Sequence, residues 1–276
     1  MIEEEVERMI EEKITEIFLP YPSDNDRLVR VYVPQHEEGE TFPVIYMTDG
    51  QNVFDMAEDL YGCWKTNTAV REEKVNNSNA AIIVGIHSDD PKHPNPLKRT
   101  NELTPKSIGE LVAPDEIKKM LNPSGEVFDD FVVNVVMPAV EERFPVKKGR
   151  NNSALCGSSS GGLMTFFTCL SHPDKFCAAG VFSPTFMAYP TDDLRRWINE
   201  KIQQNMPYLY IYTGAGDDLE NAIYQSVEIT YDILMECYPM NLLNEVVLLE
   251  NKHHESAWES VFKDFLHTFL VRREEF

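Results

Sequence analysis

The segment of this chain best suited to covalent chemistry is CGSSSGG, at 156–162. Gly157, Ser159 and Gly161 fit the G-x-S-x-G pattern of a nucleophile elbow, a sharp turn that carries a reactive serine from a strand into a helix. The flanking glycines let strand and helix approach each other closely around a strained residue. Glycine at both offsets selects Ser159 over its two serine neighbours. A Gly/Ser turn that merely joins a strand to a helix is the alternative interpretation.

An elbow of this kind also directs a backbone amide at the reacting carbonyl. The N–H that follows the nucleophile belongs to Ser160 and lies at a helix N-terminus, where partial positive charge stabilises an oxyanion. The local sequence agrees, because residues 152–155 are compatible with a strand and residues 161–170 (GGLMTFFTCL) are compatible with a helix. The amide of Ser160 is therefore a predicted oxyanion donor.

A serine nucleophile needs a base, and the base needs an acid that orients it. A predicted strand at 208–212 is followed by TGAGDD, which offers Asp217 as the acid, with Asp218 as a neighbour that could replace it. A helix N-cap is the alternative role for such an aspartate.

After the next predicted strand come His253 and His254, either of which could reach back to the elbow as the base. The pair could instead bind a metal, but adjacent side chains diverge and no other ligand cluster has suitable spacing. No metal is therefore expected.

The composition limits which partners are expected. The formal net charge is −21, from 25 basic and 46 acidic residues, which argues against nucleic acid and anionic membrane as partners. No apolar run approaches the ~20 residues that span a bilayer, and the acidic N-terminus does not resemble a secretory signal. The 5 cysteines are widely spaced and odd in number, which suggests buried thiols in a reducing compartment. We therefore expect a cytoplasmic protein.

Predicted strands and helices alternate along the chain, which indicates an α/β fold with a mostly parallel sheet and helices on both faces. Residues 1–276 are expected to form a single domain. Residues 1–12 predict an acidic amphipathic helix, or an arm that docks on a second subunit of a homo-oligomer. Residues 87–119 form an insertion too long for a simple connection, which could lie near the active site.

Four motifs together resemble the putative esterase family of the α/β-hydrolases, which includes enterochelin-esterase-like and feruloyl-esterase-like enzymes. The resemblance runs from Pro43 to Phe269. Its motifs are VIYMTDGQNVFD at 44–55, RTNELTP at 99–105, GSSSGG at 157–162 and HHESAW at 253–258.

The resemblance implies an α/β-hydrolase fold and assigns roles to individual residues. It implies that the histidine five residues before the tryptophan, His253, is the base, and it matches the family's acid to Asp217. The turn after the third strand matches the loop that supplies a second oxyanion amide, that of Gln51. With Ser159 and Ser160, these residues make up the predicted active site.

The resulting function hypothesis is a serine carboxylic-ester hydrolase that works through an acyl-enzyme and needs no cofactor. Its expected partner is a small-molecule ester of a small acid, a sugar or a phenolic. A trilactone siderophore esterase and an acyltransferase on the same scaffold remain alternatives within enzymes. A catalytically silent binding module is the alternative outside them.

Overall fold

An eight-stranded sheet forms the centre of the molecule in this computed structural model, which describes residues 9–22, 24–55, 62–88 and 97–276. The strands are β1 (Lys13–Leu19), β2 (Arg27–Val33), β3 (Val44–Met47), β4 (Ile82–Ile86), β5 (Ser153–Ser158), β6 (Ala178–Phe182), β7 (Tyr208–Thr213) and β8 (Leu243–Val247). Their spatial order in the sheet is β1-β2-β4-β3-β5-β6-β7-β8.

The predicted mostly parallel sheet is confirmed. Strand β2 runs antiparallel to both β1 and β4, whereas the strands from β4 to β8 pair in parallel. Strands β3 to β6 are buried throughout, as expected of strands covered by helices on both faces. Because the carboxyl ends of parallel strands meet at one edge, the segments after β3, β5, β7 and β8 converge there.

Helices pack on both faces of the sheet. The helices are α1 (Thr66–Asn77), α2 (Lys98–Glu102), α3 (Asp115–Lys118), α4 (Gly125–Phe131), α5 (Met137–Arg143), α6 (Ser160–Ser171), α7 (Thr191–Lys201), α8 (Asp218–Cys237) and α9 (Glu255–Arg272). Helices α1 and α9 contact each other, while α4, α6, α7 and α8 pack successively against one another. None of the helices in the described ranges is long and apolar enough to cross a membrane.

The N-terminal segment departs from the predicted helix. Residues 1–8 lie outside the described part of the chain. Met9 and Ile10 form a short strand that pairs antiparallel with His36–Glu37, so the predicted helix over 1–12 is wrong at these two positions. Both side chains are exposed, at 49% and 39%, and the pairing is made by the backbone, which needs no buried helical face.

The insertion over 87–119 contains two short helices in its described part. Its residues 89–96 lie outside the described ranges, while α2 and α3 occupy its second half. A continuous helical segment extends from 125 to 143 and contains a π-helical turn, Val132–Val136, between α4 and α5. Helix α2 brings the insertion against the carboxyl edge of the sheet.

Candidate active site

Ser159 lies at the tip of a tight turn between β5 and α6. Its backbone has φ 59° and ψ −126°, a strained conformation for a residue with a side chain. The space around the turn is filled, since a Cβ on Gly157 or on Gly161 would lie 2.2 Å from Oγ1 of Thr48. This explains why glycine stands at both offsets. Ser160 begins α6, where backbone N–H groups have no partner within the helix.

His253 is the histidine that lies beside this serine. Its Nε2 is 3.1 Å from Oγ of Ser159, and its ring forms a T-shaped contact with Trp258 at a centroid distance of 5.1 Å and an interplanar angle of 89°. His254 points elsewhere, because its Nδ1 accepts a hydrogen bond from the backbone N–H of Ser256 and caps α9. The two adjacent histidines therefore diverge.

The carboxylate beside the His253 ring is not the expected one. Oε2 of Glu220 lies 2.6 Å from Nδ1 of His253, in the place predicted for Asp217. Asp217 instead caps α8, where its Oδ1 accepts from the N–H of Glu220 at 2.9 Å and its Oδ2 accepts from the backbone N–H of His253 at 2.9 Å. Asp218 is exposed on the first turn of α8. The longer side chain of Glu220, one turn into the helix, is the one that reaches the ring.

Glu220 is an ionised acceptor inside the protein. Its side chain is fully buried and accepts from Oγ of Ser183 at 2.5 Å and from the N–H of Gly214 at 2.8 Å, in addition to the His253 ring. Burial raises the pKa of Glu220, but the hydrogen bonds from His253, Ser183 and Gly214 outweigh it and hold this pKa below its usual value. With its proton on Nδ1, His253 donates to this carboxylate and keeps Nε2 free to accept the proton of Ser159.

The turn after β3 carries the second predicted oxyanion residue. Gln51 belongs to the short 3-10 helix Gly50–Asn52, and its side-chain amide donates to Oγ of Ser88 at 2.9 Å. Asp49, with φ 53°, accepts two hydrogen bonds from Arg99, at 2.5 and 2.6 Å, and a third from Oγ of Ser88 at 2.6 Å. Burial alone would raise the pKa of Asp49, but the Arg99 guanidinium and these hydrogen bonds lower it.

A cavity of about 390 Å³ opens above these groups. Its lining contains Ser159, His253, Gln51 and Arg99, with the indoles of Trp64 and Trp258 as its apolar wall. The volume lies within the range of small-molecule sites. The nucleophile candidate, the base candidate and both loops expected to hold an oxyanion therefore face one space.

Three residues of this arrangement were missed by the sequence reasoning. Glu220 stands three residues after Asp217, the spacing of a helix N-cap and its N3 glutamate, and this pattern could have marked Asp217 as the cap. Arg99 belongs to a motif that carried the family resemblance but received no role. Ser183 has no sequence signal that we can identify.

Comparisons with known proteins identify the family of this chain. The model of the family described as "Putative esterase" matches residues 23–262. This chain belongs to that family. A siderophore triacetylfusarinine C esterase of Aspergillus fumigatus is 30% identical over 171 residues, which are 59% of this chain and 53% of the relative. The chain thus matches about half the length of that curated relative.

Solved structures of other proteins share the fold. An IroE-like serine hydrolase from Shewanella oneidensis superposes with a TM-score of 0.69 at 17% identity, covering 93% of this chain and 80% of the other. A ferulic acid esterase from Anaeromyces mucronatus superposes with a TM-score of 0.63 at 19% identity, covering 93% and 90%. The predicted α/β-hydrolase fold is therefore confirmed.

Proposed function

We propose that this chain is a serine carboxylic-ester hydrolase that acts through Ser159, His253 and Glu220. The observation that carries the proposal is the continuous hydrogen-bonded series from Oγ of Ser159 through both ring nitrogens of His253 to a buried carboxylate, at 3.1 and 2.6 Å. A serine at its ordinary pKa is a weak nucleophile, and this series is the arrangement that activates one.

The proposed reaction has two halves. Oγ of Ser159 attacks the ester carbonyl while Nε2 of His253 takes its proton, and the N–H groups of Ser160 and Gln51 bind the resulting oxyanion. The intermediate then expels the alcohol, which receives the proton from Nε2, and the acid part remains as an ester of Ser159. Water attacks this acyl-enzyme with the same proton transfers, which releases the acid and restores the serine.

Glu220 acts through the ring in this scheme. Its carboxylate fixes the tautomer with the proton on Nδ1 and stabilises the imidazolium that forms when Nε2 takes the serine proton. Because Glu220 is fully buried, this stabilisation operates where solvent screens it weakly.

The substrate is proposed to be an ester of a small acid, a sugar or a phenolic, since the cavity of about 390 Å³ combines indole rings with polar groups. The Aspergillus fumigatus relative favours a second candidate, a siderophore ester. The net charge of −21 argues against an anionic ferric siderophore as the ligand. A panel of p-nitrophenyl, acetyl-sugar, feruloyl and trilactone esters, with the trilactone offered with and without iron, would separate these classes by kcat/KM.

The proposal is tested by Ser159→Ala, with Ser160→Ala as its matched control in the same turn. We expect Ser159→Ala to abolish p-nitrophenyl acetate hydrolysis and labelling by a fluorophosphonate, and Ser160→Ala to keep measurable activity because only its backbone N–H is used. Full hydrolysis by Ser159→Ala would refute the proposal. If the wild-type protein neither hydrolyses any ester of the panel nor reacts with the fluorophosphonate, the chain is a silent binding module. Transfer of the acyl group to an added alcohol would indicate an acyltransferase.

A further inference from the structure

The loops that carry the acid and the base are pressed against each other along their backbones. The N–H of Gly216 donates to the carbonyl of Asn251 at 2.7 Å. A Cβ added to Gly214 would lie 2.2 Å from that same carbonyl oxygen, and one added to Gly216 would lie 2.4 Å from the carbonyl oxygen of Glu250. Side chains at these two positions would push the loops apart. The loop after β7 and the loop after β8 therefore behave as one unit.

Asp217 is the side chain that links the two loops. Its Oδ1 accepts from the N–H of Glu220 and its Oδ2 accepts from the N–H of His253, each at 2.9 Å. One carboxylate thus binds the main chain of both Glu220 and His253. Such bonds to an ionised acceptor are stronger than bonds between neutral groups. Neither oxygen is used by the imidazole ring, whose two nitrogens face Glu220 and Ser159.

We propose that Asp217 is a positioning residue that fixes the distance between the carboxylate of Glu220 and the ring of His253. This inference rests on the proposed hydrolase function. Asp217 makes no contact with the reacting atoms in this scheme, and it acts through the main chain of the two residues that do the proton transfer. Displacement of a reacting group by about 1 Å lowers rates by up to about 100-fold. We therefore expect loss of the link to lower kcat and to leave KM unchanged.

Asp217→Ser is the most informative substitution. A serine is a good helix N-cap, so it can still accept from the N–H of Glu220 and preserve α8. Its shorter side chain has one oxygen and cannot also bind the N–H of His253. Asp217→Asn is the second variant, in which an amide NH₂ must face one of the two backbone N–H groups. Asp218→Asn is the matched control, because Asp218 is the exposed neighbour on the same turn.

Both Asp217 variants are expected to lower kcat by about 10- to 100-fold with KM unchanged. Their pH–rate midpoint should move less than that of Glu220→Gln, because the Asp217 carboxylate contacts the backbone N–H of His253 and not its ring. Glu220→Gln, in contrast, should move that midpoint to lower pH, because it removes the charge that stabilises the imidazolium. Circular dichroism at the assay temperature gives the folded fraction by which each kcat is corrected. The pH profile is the readout that separates positioning from direct action on the ring.

Two results would overturn the inference. A corrected kcat for Asp217→Ser and Asp217→Asn equal to that of Asp218→Asn would show that the link has no role. A shift of the pH–rate midpoint equal to that of Glu220→Gln would show that Asp217 acts on the ring itself. Failure of the proposed function is a separate outcome, since it would appear as hydrolysis that survives Ser159→Ala.

Discussion

Replacing Glu220 by glutamine removes one negative charge and keeps nearly the same volume. The ring of His253 and the carboxylate are in contact, with 2.6 Å between Nδ1 and Oε2. For unit charges whose centres are about 4 Å apart in a medium of effective dielectric constant about 20, the attraction is about 4 kcal/mol. At about 1.4 kcal/mol per factor of ten, loss of this attraction in the transition state corresponds to a decrease in kcat on the order of 10³-fold.

The geometry adds a second effect in the same direction. The carboxylate of Glu220 accepts from donors at His253, Ser183 and Gly214, and an amide offers only one accepting oxygen. In Glu220→Gln an NH₂ group therefore faces at least one N–H or O–H donor, or the ring adopts the tautomer with its proton on Nε2. That tautomer cannot accept the proton of Ser159. Both consequences lower kcat and neither requires a change in KM.

The assay is steady-state hydrolysis of p-nitrophenyl acetate between pH 5 and pH 9, with near-ultraviolet circular dichroism to verify the fold. The range covers the pH interval in which unperturbed histidines titrate. Asp218→Asn is the control for loss of a carboxylate on the same helical turn. A kcat for Glu220→Gln within about tenfold of the wild type would refute the assignment of the acid. A tenfold decrease corresponds to about 1.4 kcal/mol, which is far less than the lost attraction of about 4 kcal/mol. A loss equal in size but confined to KM would refute it as well.

Two further predictions concern the charged residues Arg99 and Glu245. Arg99→Ala should lower kcat about 10- to 100-fold, because it leaves the buried carboxylate of Asp49 without its ion-pair partner in the turn that carries Gln51. Steady-state kinetics measure this effect. An unchanged kcat would exclude a role for Arg99 in holding the turn. Glu245 has a pKa raised to about 7 by burial and by the neighbouring carboxylate of Glu228. The folded state therefore holds a proton that the unfolded state releases, so this group's stabilisation is complete at acid pH and is lost as the pH rises through about 7. Thermal unfolding from pH 5 to pH 8 should show a smaller decrease in Tm for Glu245→Gln than for the wild type, and equal decreases would contradict the prediction.

The sequence was sufficient to predict the elements that carry the site, because their signals are local. Residues 152–155 are compatible with a strand and residues 161–170 with a helix, and β5 and α6 lie there. The glycine spacing around Ser159 can be recognised within five residues, although the side chain it makes room for, Thr48, is distant in the chain. His253 follows a strand that can be recognised by its own composition. Short-range patterns of this kind need no knowledge of the tertiary structure.

The carboxylate beside the His253 ring was mispredicted because its identity depends on how far a side chain reaches across space. The rule that places the acid directly after a strand pointed to Asp217, which instead became the cap of α8. Whether a carboxylate at the cap or one turn later meets the ring depends on the approach of two loops that are 33 residues apart in the chain at Glu220 and His253. The pairing of Met9 with Glu37 was likewise set by tertiary contacts that periodicity does not contain.

The positive φ angles of the site have a thermodynamic consequence. Asp49, Ser159 and Ser183 adopt φ values of 53°, 59° and 41°, and strain of this kind amounts to about 1–3 kcal/mol for each residue. Favourable packing in the surrounding core offsets this strain, so the active conformation is a locally unfavourable state held in place by the rest of the fold. Modest denaturant or heat should let these turns relax while the sheet stays intact. Activity would then disappear before the global unfolding transition, and substitutions that weaken a distant part of the core would reduce the rate before they reduce the amount of folded protein.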